Sequence, residues 1–80
     1  MPKLPRNLSG RELGIALGTL GYEFIRQSGS HMRYRTMLNG EHSVTIVDGR
    51  LNVKTISRLL KDVAGHHALT MDQLTGMLFH

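Results

Sequence analysis

Three short β-strand patterns follow one another in the middle of the chain, and they constrain the fold more than any other feature. Residues 22–27, 31–37 and 42–47 are rich in β-branched and aromatic residues, and the second run alternates regularly between two kinds of side chain. Small residues at 28–30 separate the first two runs, and an Asn-Gly pair within residues 38–41 separates the last two. Because connections this short join only antiparallel neighbours, the sequence predicts a three-stranded antiparallel meander.

A helix is predicted before the strands. Ser9 and Glu12 have the spacing of a capping box, in which each side chain bonds the backbone N–H of the other residue. Leucines then recur at helical spacing, and Gly21 is suited to a left-handed residue that closes the helix. The pattern predicts a first helix over about residues 10–20.

Two further helices are predicted after the strands. Asn52 is a suitable N-cap for a helix that extends to about residue 64, and Gly65 is expected to end it. Thr70 and Gln73 form a second, weaker capping box for a short helix to about residue 78. The resulting order is α-β-β-β-α-α, which belongs to the α+β class.

The length and composition limit how these elements combine. The 80 residues contain no cysteine, so disulfides and thiolate metal sites are excluded. Residues 1–8 hold two prolines and predict an extended arm, and residues 9–80 predict one domain. A chain this short buries one small core, so we expect the helices to cover one face of the sheet and leave the other face bare.

Charge indicates the kind of partner. The net charge of +4 favours a polyanion, although many small domains carry as much. No apolar run is long enough to span a membrane and no signal-peptide pattern opens the sequence, so we expect a cytoplasmic protein with no membrane partner. The neighbouring His66 and His67 should point in different directions, and we expect no metal site and no small-molecule cofactor.

Strand alternation predicts which side chains stand on the bare face. In the second strand Met32, Tyr34 and Thr36 suit a core, so the alternate residues should face solvent. An odd number of residues in the loop before the third strand, such as 39–41, keeps the apolar side chains of both strands on one face. A two-residue Asn-Gly hairpin would instead bury a row of arginines. The predicted open face carries His31, Arg33 and Arg35, with Ser43 and Thr45 alongside.

The side chains of this row are of the types that could cleave RNA. Two guanidiniums can hold a phosphate in a planar, bidentate way. Histidine can accept or donate a proton near neutral pH, so His31 could activate the 2′-hydroxyl of RNA to attack its own phosphodiester, a reaction that needs no metal. An exposed row of this kind is more often a plain solvated face, and spacing alone leaves both interpretations open.

Several stretches between about residues 9 and 65 match a known pattern in order and, nearly, in spacing. They are Ser9-Gly10-Arg11-Glu12-Leu13, Leu17, Leu20-Gly21-Tyr22, Arg26-Gln27-Ser28-Gly29-Ser30-His31, Tyr34, Val44-Thr45-Ile46-Val47 and the run TISRLLKDVAG at 55–65. Together they resemble the HicA toxin family of type II toxin–antitoxin systems, which are small mRNA interferases. The Gly-Ser-His step is the most specific element of the resemblance.

The resemblance implies a fold, a catalytic residue and a partner. The implied fold is that of double-stranded-RNA-binding domains, the implied catalytic residue is His31, and the implied partner is a HicB-type antitoxin. The chain departs from the family at Val47-Asp48-Gly49, where a proline and a further histidine are common, and at Lys54, where glycine is frequent. Residues expected to contact RNA are Arg26, Gly29, Ser30, Arg33, Arg35 and Lys54.

We therefore expect the toxin component of a type II system, a metal-independent endoribonuclease that cleaves mRNA. The alternatives are a non-catalytic module that binds double-stranded RNA and a protein-interaction module of the same fold. Duplex-binding domains typically cluster lysines at the start of their second helix. Here Lys54, Arg58 and Lys61 are spread over two turns, which favours the nuclease.

Glycines on the first helix suggest where a partner binds. Gly10, Gly14 and Gly18 recur every four residues and so line one side of the helix. Their use is either internal, with another segment such as the N-terminal arm crossing closely, or external. In the external case Gly14, Ile15 and Gly18 form a docking surface for the antitoxin, and alanine at either glycine should not destabilise the free protein.

Overall fold

An antiparallel sheet with helices on one face forms the protein, as the computed structural model of residues 7–79 describes it. The strand order is β1-β2-β3, which confirms the predicted meander and the α+β class. Residues 1–6 of the predicted arm lie outside the described residues. None of the helices within 7–79 has the length and hydropathy that a bilayer crossing requires. The elements are α1 (Gly10–Leu17) with a 3-10 turn (Gly18–Leu20), β1 (Glu23–Ser28), β2 (His31–Thr36), β3 (His42–Val47), α2 (Val53–His67) and α3 (Met71–Leu78).

Both predicted capping boxes are present. The Oγ of Ser9 accepts from the backbone N–H of Glu12 at 3.1 Å, and the carboxylate of Glu12 accepts from the N–H of Ser9 at 3.0 Å. Thr70 and Gln73 repeat the arrangement at the start of α3. Gly21 has a φ of 82° and closes the 3-10 turn, so the predicted end of the first helical segment is confirmed.

The predicted end of α2 is wrong. Asn52 caps the start of the helix as predicted, but Gly65 lies inside it, and the helix continues to His67 before Ala68 closes it with a φ of 55°. A glycine inside a helix costs only about 1 kcal/mol relative to alanine. Here the buried ring of His67 bonds the hydroxyl of Tyr22, and this tertiary contact holds the last turn helical.

The core lies between the helices and one face of the sheet. Fully burying one aliphatic side chain in such a core contributes about 1.5–3 kcal/mol to the free energy of folding, relative to leaving it exposed. The described end of the predicted arm joins this core, because Leu8 is buried and its carbonyl accepts from the N–H of Leu51 at 3.0 Å. The most deeply buried apolar side chains are Leu13, Leu17, Met32, Ile46, Ile56, Leu60, Val63 and Leu74.

The register of β2 and β3 confirms the predicted faces. Tyr34 lies opposite Val44, and Thr36 lies opposite His42, so the connecting loop is residues 37–41. This loop has an odd number of residues, as predicted, but it is longer than the example of 39–41. Tyr34, Val44 and Thr36 are buried. The face away from the helices carries His31, Arg33 and Arg35, with Thr45 opposite Arg33 and Ser43 opposite Arg35.

A β-bulge in β1 changes which of its side chains reach this open face. Phe24 lies opposite Tyr34, but the register shifts at Ile25, so that Arg26 lies opposite Arg33. Residues two apart on a regular strand share a face, which would place Arg26 with Phe24. The extra residue in the bulge reverses this and brings Arg26 onto the open face beside Arg33.

Candidate nucleic-acid interface

One groove on the open face collects the strongest candidates for RNA contact. It has a volume of about 170 Å³ and is lined by Arg26, Ser28, His31, Arg33 and Thr45, which we call the open-face groove. All three strands contribute to it, because Arg26, Arg33 and Thr45 are cross-strand neighbours and Ser28 lies opposite His31. The structure therefore brings three of the predicted site residues, Arg26, His31 and Arg33, together in one groove.

His31 begins the central strand, directly after the turn between β1 and β2. Its backbone lies between Ser28 on β1 and Val47 on β3, and its side chain is exposed. No hydrogen bond to its imidazole is formed by any residue of the described range 7–79. Both ring nitrogens can therefore meet a ligand, while the backbone of His31 is paired with a strand on either side.

The predicted arginine row divides into two environments. Arg26 and Arg33 face each other across β1 and β2, and neither forms an ion pair with any residue of 7–79. Like charges at this spacing repel, and an anion between them would relieve the repulsion. Arg35 instead lies opposite Glu23, with its Nη1 4.0 Å from a carboxylate oxygen of Glu41. Its charge is partly offset, and it does not line the open-face groove.

The remaining RNA-contact candidates lie in two places. Gly29 and Ser30 form the exposed turn before His31, and Gly29 has a φ of 58°, where glycine is favoured over other residues. Lys54 lies in the first turn of α2 and lines a separate groove of about 490 Å³ with Arg58 and its neighbours. The structure does not join Lys54 to the open-face groove.

The glycine stripe of α1, which consists of Gly10, Gly14 and Gly18, mostly packs against the interior of the protein. A Cβ on Gly14 would overlap the ring of Tyr34, and a Cβ on Gly10 would overlap the carbonyl oxygen of Val47. The crossing elements are thus β2 and β3, and the N-terminal arm is not what approaches these two glycines. Gly18 has nothing within 4 Å of such a Cβ, and Ile15 is 78% exposed. The buried Gly14 is not accessible to a partner, which leaves Ile15 and Gly18 of the predicted docking surface.

A second polar cluster connects α2 to the sheet. The hydroxyl of Tyr22 lies 2.7 Å from Nδ1 of His42 and 3.1 Å from Nε2 of His67. The amide nitrogen of Asn39 can only donate, so Nδ1 of His67 accepts its bond at 3.1 Å. Nε2 of His67 therefore donates to the hydroxyl of Tyr22, and this hydroxyl donates to Nδ1 of His42. The other ring nitrogen of His42, Nε2, lies 3.3 Å from a carboxylate oxygen of Asp62. Both ring nitrogens of His67 and both of His42 have a partner within the protein, which indicates a structural role for the cluster.

The pKa values in this cluster follow its burial. Burial raises the pKa of Tyr22 to about 12, and the charge of Asp62 adds to the rise. Burial also lowers the pKa of His67, and the neighbouring His66 and His42 lower it further. The folded protein therefore keeps Tyr22 protonated and favours neutral His67. Residues 7–79 contain no group of three histidine or acidic side chains arranged to hold a metal ion.

Asp48 is a residue whose contacts the sequence did not reveal. An Asp-Gly pair after a strand is a common turn signal and indicates no more than the end of the strand. In the structure the carboxylate of Asp48 accepts hydrogen bonds from Arg11 on α1 and Gln27 on β1. These bonds lower the pKa of Asp48, so it is charged at neutral pH. No local pattern could have shown the contacts, because Arg11 and Gln27 are 37 and 21 residues away.

Comparison with known proteins adds no identification. No family model, curated protein or solved structure matches the chain. The chemistry and geometry of the open-face groove, together with the sequence resemblance to HicA toxins, are therefore what points to a function.

Proposed function

We propose that the protein is a metal-independent endoribonuclease that cleaves single-stranded mRNA at the open-face groove, as the toxin of a HicA-type system in the cytoplasm. The observation that carries the proposal is the exposed imidazole of His31 beside Arg26 and Arg33, which have no ion-pair partner within 7–79. These groups supply a proton acceptor and a phosphate clamp on one open surface. A HicB-type antitoxin would be the partner that keeps RNA from this surface.

The proposed reaction uses the RNA as its own nucleophile. Neutral His31 accepts the proton of a 2′-hydroxyl, and the 2′-oxygen forms a bond to the adjacent phosphorus. The bond from phosphorus to the 5′-oxygen breaks, and that oxygen takes a proton from water. The hydroxide that is left takes the proton held by His31, which returns the imidazole to its neutral form. Arg26 and Arg33 bind the non-bridging oxygens, whose negative charge increases in the transition state. The products are a 2′,3′-cyclic phosphate and a 5′-hydroxyl end.

The arrangement of elements supports the fold that the resemblance implies. A helix precedes the three-stranded meander, a second helix follows it, and both pack on one face of the sheet. We propose that this is a variant of the double-stranded-RNA-binding-domain fold, with α3 added after the second helix. In this proposal the bare sheet face holds the RNA to be cleaved.

A second candidate function is the binding of duplex RNA without cleavage. The groove on α2 favours it, because Lys54, Arg58 and Lys61 recur at helical spacing and all three are exposed. A row of cations along one helix face can follow a phosphate backbone. The nuclease remains the better-supported function, since these residues do not cluster at the helix start.

Cleavage of a defined RNA in EDTA tests the proposal. The substrate is an unstructured RNA, and the control is the same strand with 2′-deoxy sugars at the sites that are cut. We expect cleavage of the RNA without divalent ions, no cleavage at the deoxy positions, and cyclic phosphate ends. Tight binding of a matched duplex with no cleavage of either form would instead establish the binding module. If the protein neither binds nor cleaves RNA, the result would favour a protein-interaction module.

Replacing Arg33 with glutamine should weaken RNA binding more than the same change at Arg35. Arg33 lines the groove with a full charge, whereas the charge of Arg35 is partly offset by Glu41. For each phosphate of a single strand that the protein no longer neutralises, the slope of log affinity against log salt should fall by roughly 0.7. Binding titrations at several salt concentrations measure this, with a cleavage-resistant deoxy strand as ligand. Equal slopes for the two variants would show that Arg33 contributes no more to phosphate binding than Arg35 does.

A further inference from the structure

The turn that presents His31 is held by a set of bonds centred on Asp48. The carboxylate of Asp48 accepts from Nε of Arg11 at 3.2 Å and from its Nη2 at 3.0 Å. It also accepts from the side-chain amide of Gln27 at 3.1 Å. A residue directly after β3 is thereby bonded to both α1 and β1.

The same residues hold both carbonyls of the turn. The amide nitrogen of Gln27 donates to the carbonyl of Gly29 at 3.0 Å, and the backbone N–H of Asp48 donates to the carbonyl of Ser30 at 2.6 Å. Gly29 and Ser30 are the two residues between β1 and β2. The turn is therefore fixed from its own strand and from the end of β3.

The contacts of Asp48 do more than pair two charges. The side chains of Arg11 and Asp48 are 65% and 28% exposed, so water weakens their attraction, and it is the bidentate geometry that lets the pair stabilise the fold. Their position is more informative, because His31 follows the turn and its ring has no hydrogen bond within 7–79. The direction of this ring depends on the backbone that carries it.

We propose that Asp48 is a positioning residue, which holds the Gly29-Ser30 turn and so fixes His31 against the phosphate bound by Arg26 and Arg33. This inference rests on the proposed nuclease function. It assigns Asp48 no contact with RNA and no part in proton transfer. Its action is through the side-chain amide of Gln27, which donates both to the carbonyl of Gly29 and to the carboxylate of Asp48. Without the carboxylate this amide loses the second of its two acceptors.

Three variants of the full chain separate positioning from the general effect of removing a charge. Asp48→Ala removes the acceptor, and Asp48→Asn keeps an oxygen that can accept from Gln27. Asp62→Ala is the matched control, because it removes a carboxylate of the same charge from a surface contact with His42, outside the open-face groove. All three are compared with the wild type in EDTA on the same RNA.

We expect Asp48→Ala to lower kcat about 10- to 100-fold with KM unchanged, since a misplacement of about 1 Å can cost this much. Asp48→Asn should recover most of the rate, and Asp62→Ala should keep the wild-type kcat. A change in KM of equal size for Asp48→Ala and Asp62→Ala, with kcat unchanged, would show an effect of net charge alone and would overturn the proposal.

A second measurement distinguishes this inference from the proposed function. NMR order parameters of the Gly29 and Ser30 amides should lie near about 0.85 in the wild type and fall toward about 0.6 in Asp48→Ala. If the wild type cleaves no RNA but the turn loosens, the nuclease function fails and the structural role of Asp48 stands. If the turn amides do not change, Asp48 does not position His31, whatever the activity.

Discussion

Replacing His31 with alanine should reduce RNA cleavage by about 10²–10⁴-fold and leave the melting temperature unchanged. The rate falls because the groove loses its proton acceptor, and removal of a general acid or base typically has an effect of this size. The fold survives because the side chain is exposed and forms no hydrogen bond within 7–79. Single-turnover cleavage in EDTA and thermal melts on the same preparations measure the two quantities.

His67→Ala is the informative contrast to this variant. His67 is buried and bonds both Tyr22 and Asn39, so its removal should lower the melting temperature. Below its melting temperature, the folded His67 variant should still cleave, because the ring lies outside the open-face groove. A His31→Ala protein that cleaves at nearly the wild-type rate would eliminate His31 as the catalytic group.

The sequence was sufficient to predict the open face because strands have a period of two. Only an odd loop between β2 and β3 buries Tyr34 and Val44 together, and the alternative would have buried charged arginines. The free-energy cost of burying a row of arginines therefore favoured the odd loop. The helix starts were equally accessible, since a capping box such as Ser9 with Glu12 is a local interaction.

Features that depend on distant contacts could not be predicted. Nothing near Ile25 indicates a bulge, yet the bulge decides that Arg26 joins the groove. The end of α2 was misjudged because Gly65 is a local signal, whereas the buried bonds of His67 come from other elements. Asp48 was missed for the same reason. The candidate site was thus predictable in its central strand and not in its supports.

The glycines of α1 show the same distinction, and alanine substitution tests it. By their spacing in the sequence, Gly14 and Gly18 are equivalent. In the structure, a Cβ on Gly14 would overlap the ring of Tyr34, whereas a Cβ on Gly18 would have nothing within 4 Å. Tyr34 is buried and its hydroxyl contacts the sulfur of Met32, so the ring cannot easily move. The sequence-based expectation that neither substitution destabilises the protein therefore needs correction for Gly14.

We expect Gly14→Ala to destabilise the free protein by about 1–3 kcal/mol, the usual cost of overpacking a core. Gly18→Ala should stabilise it by about 0.4–1 kcal/mol, because Gly18 has helical angles of φ −56° and ψ −27° that alanine adopts without strain. In a domain of this size, 1 kcal/mol corresponds to a shift in melting temperature of about 4–8 °C, so thermal melts resolve the opposite signs. If both variants are more stable than the wild type, the ring of Tyr34 yields, and Gly14 no longer has a packing role. The glycine stripe would then regain its other explanation, a docking surface for the antitoxin beside the exposed Ile15, and a binding titration with both variants would be the decisive measurement.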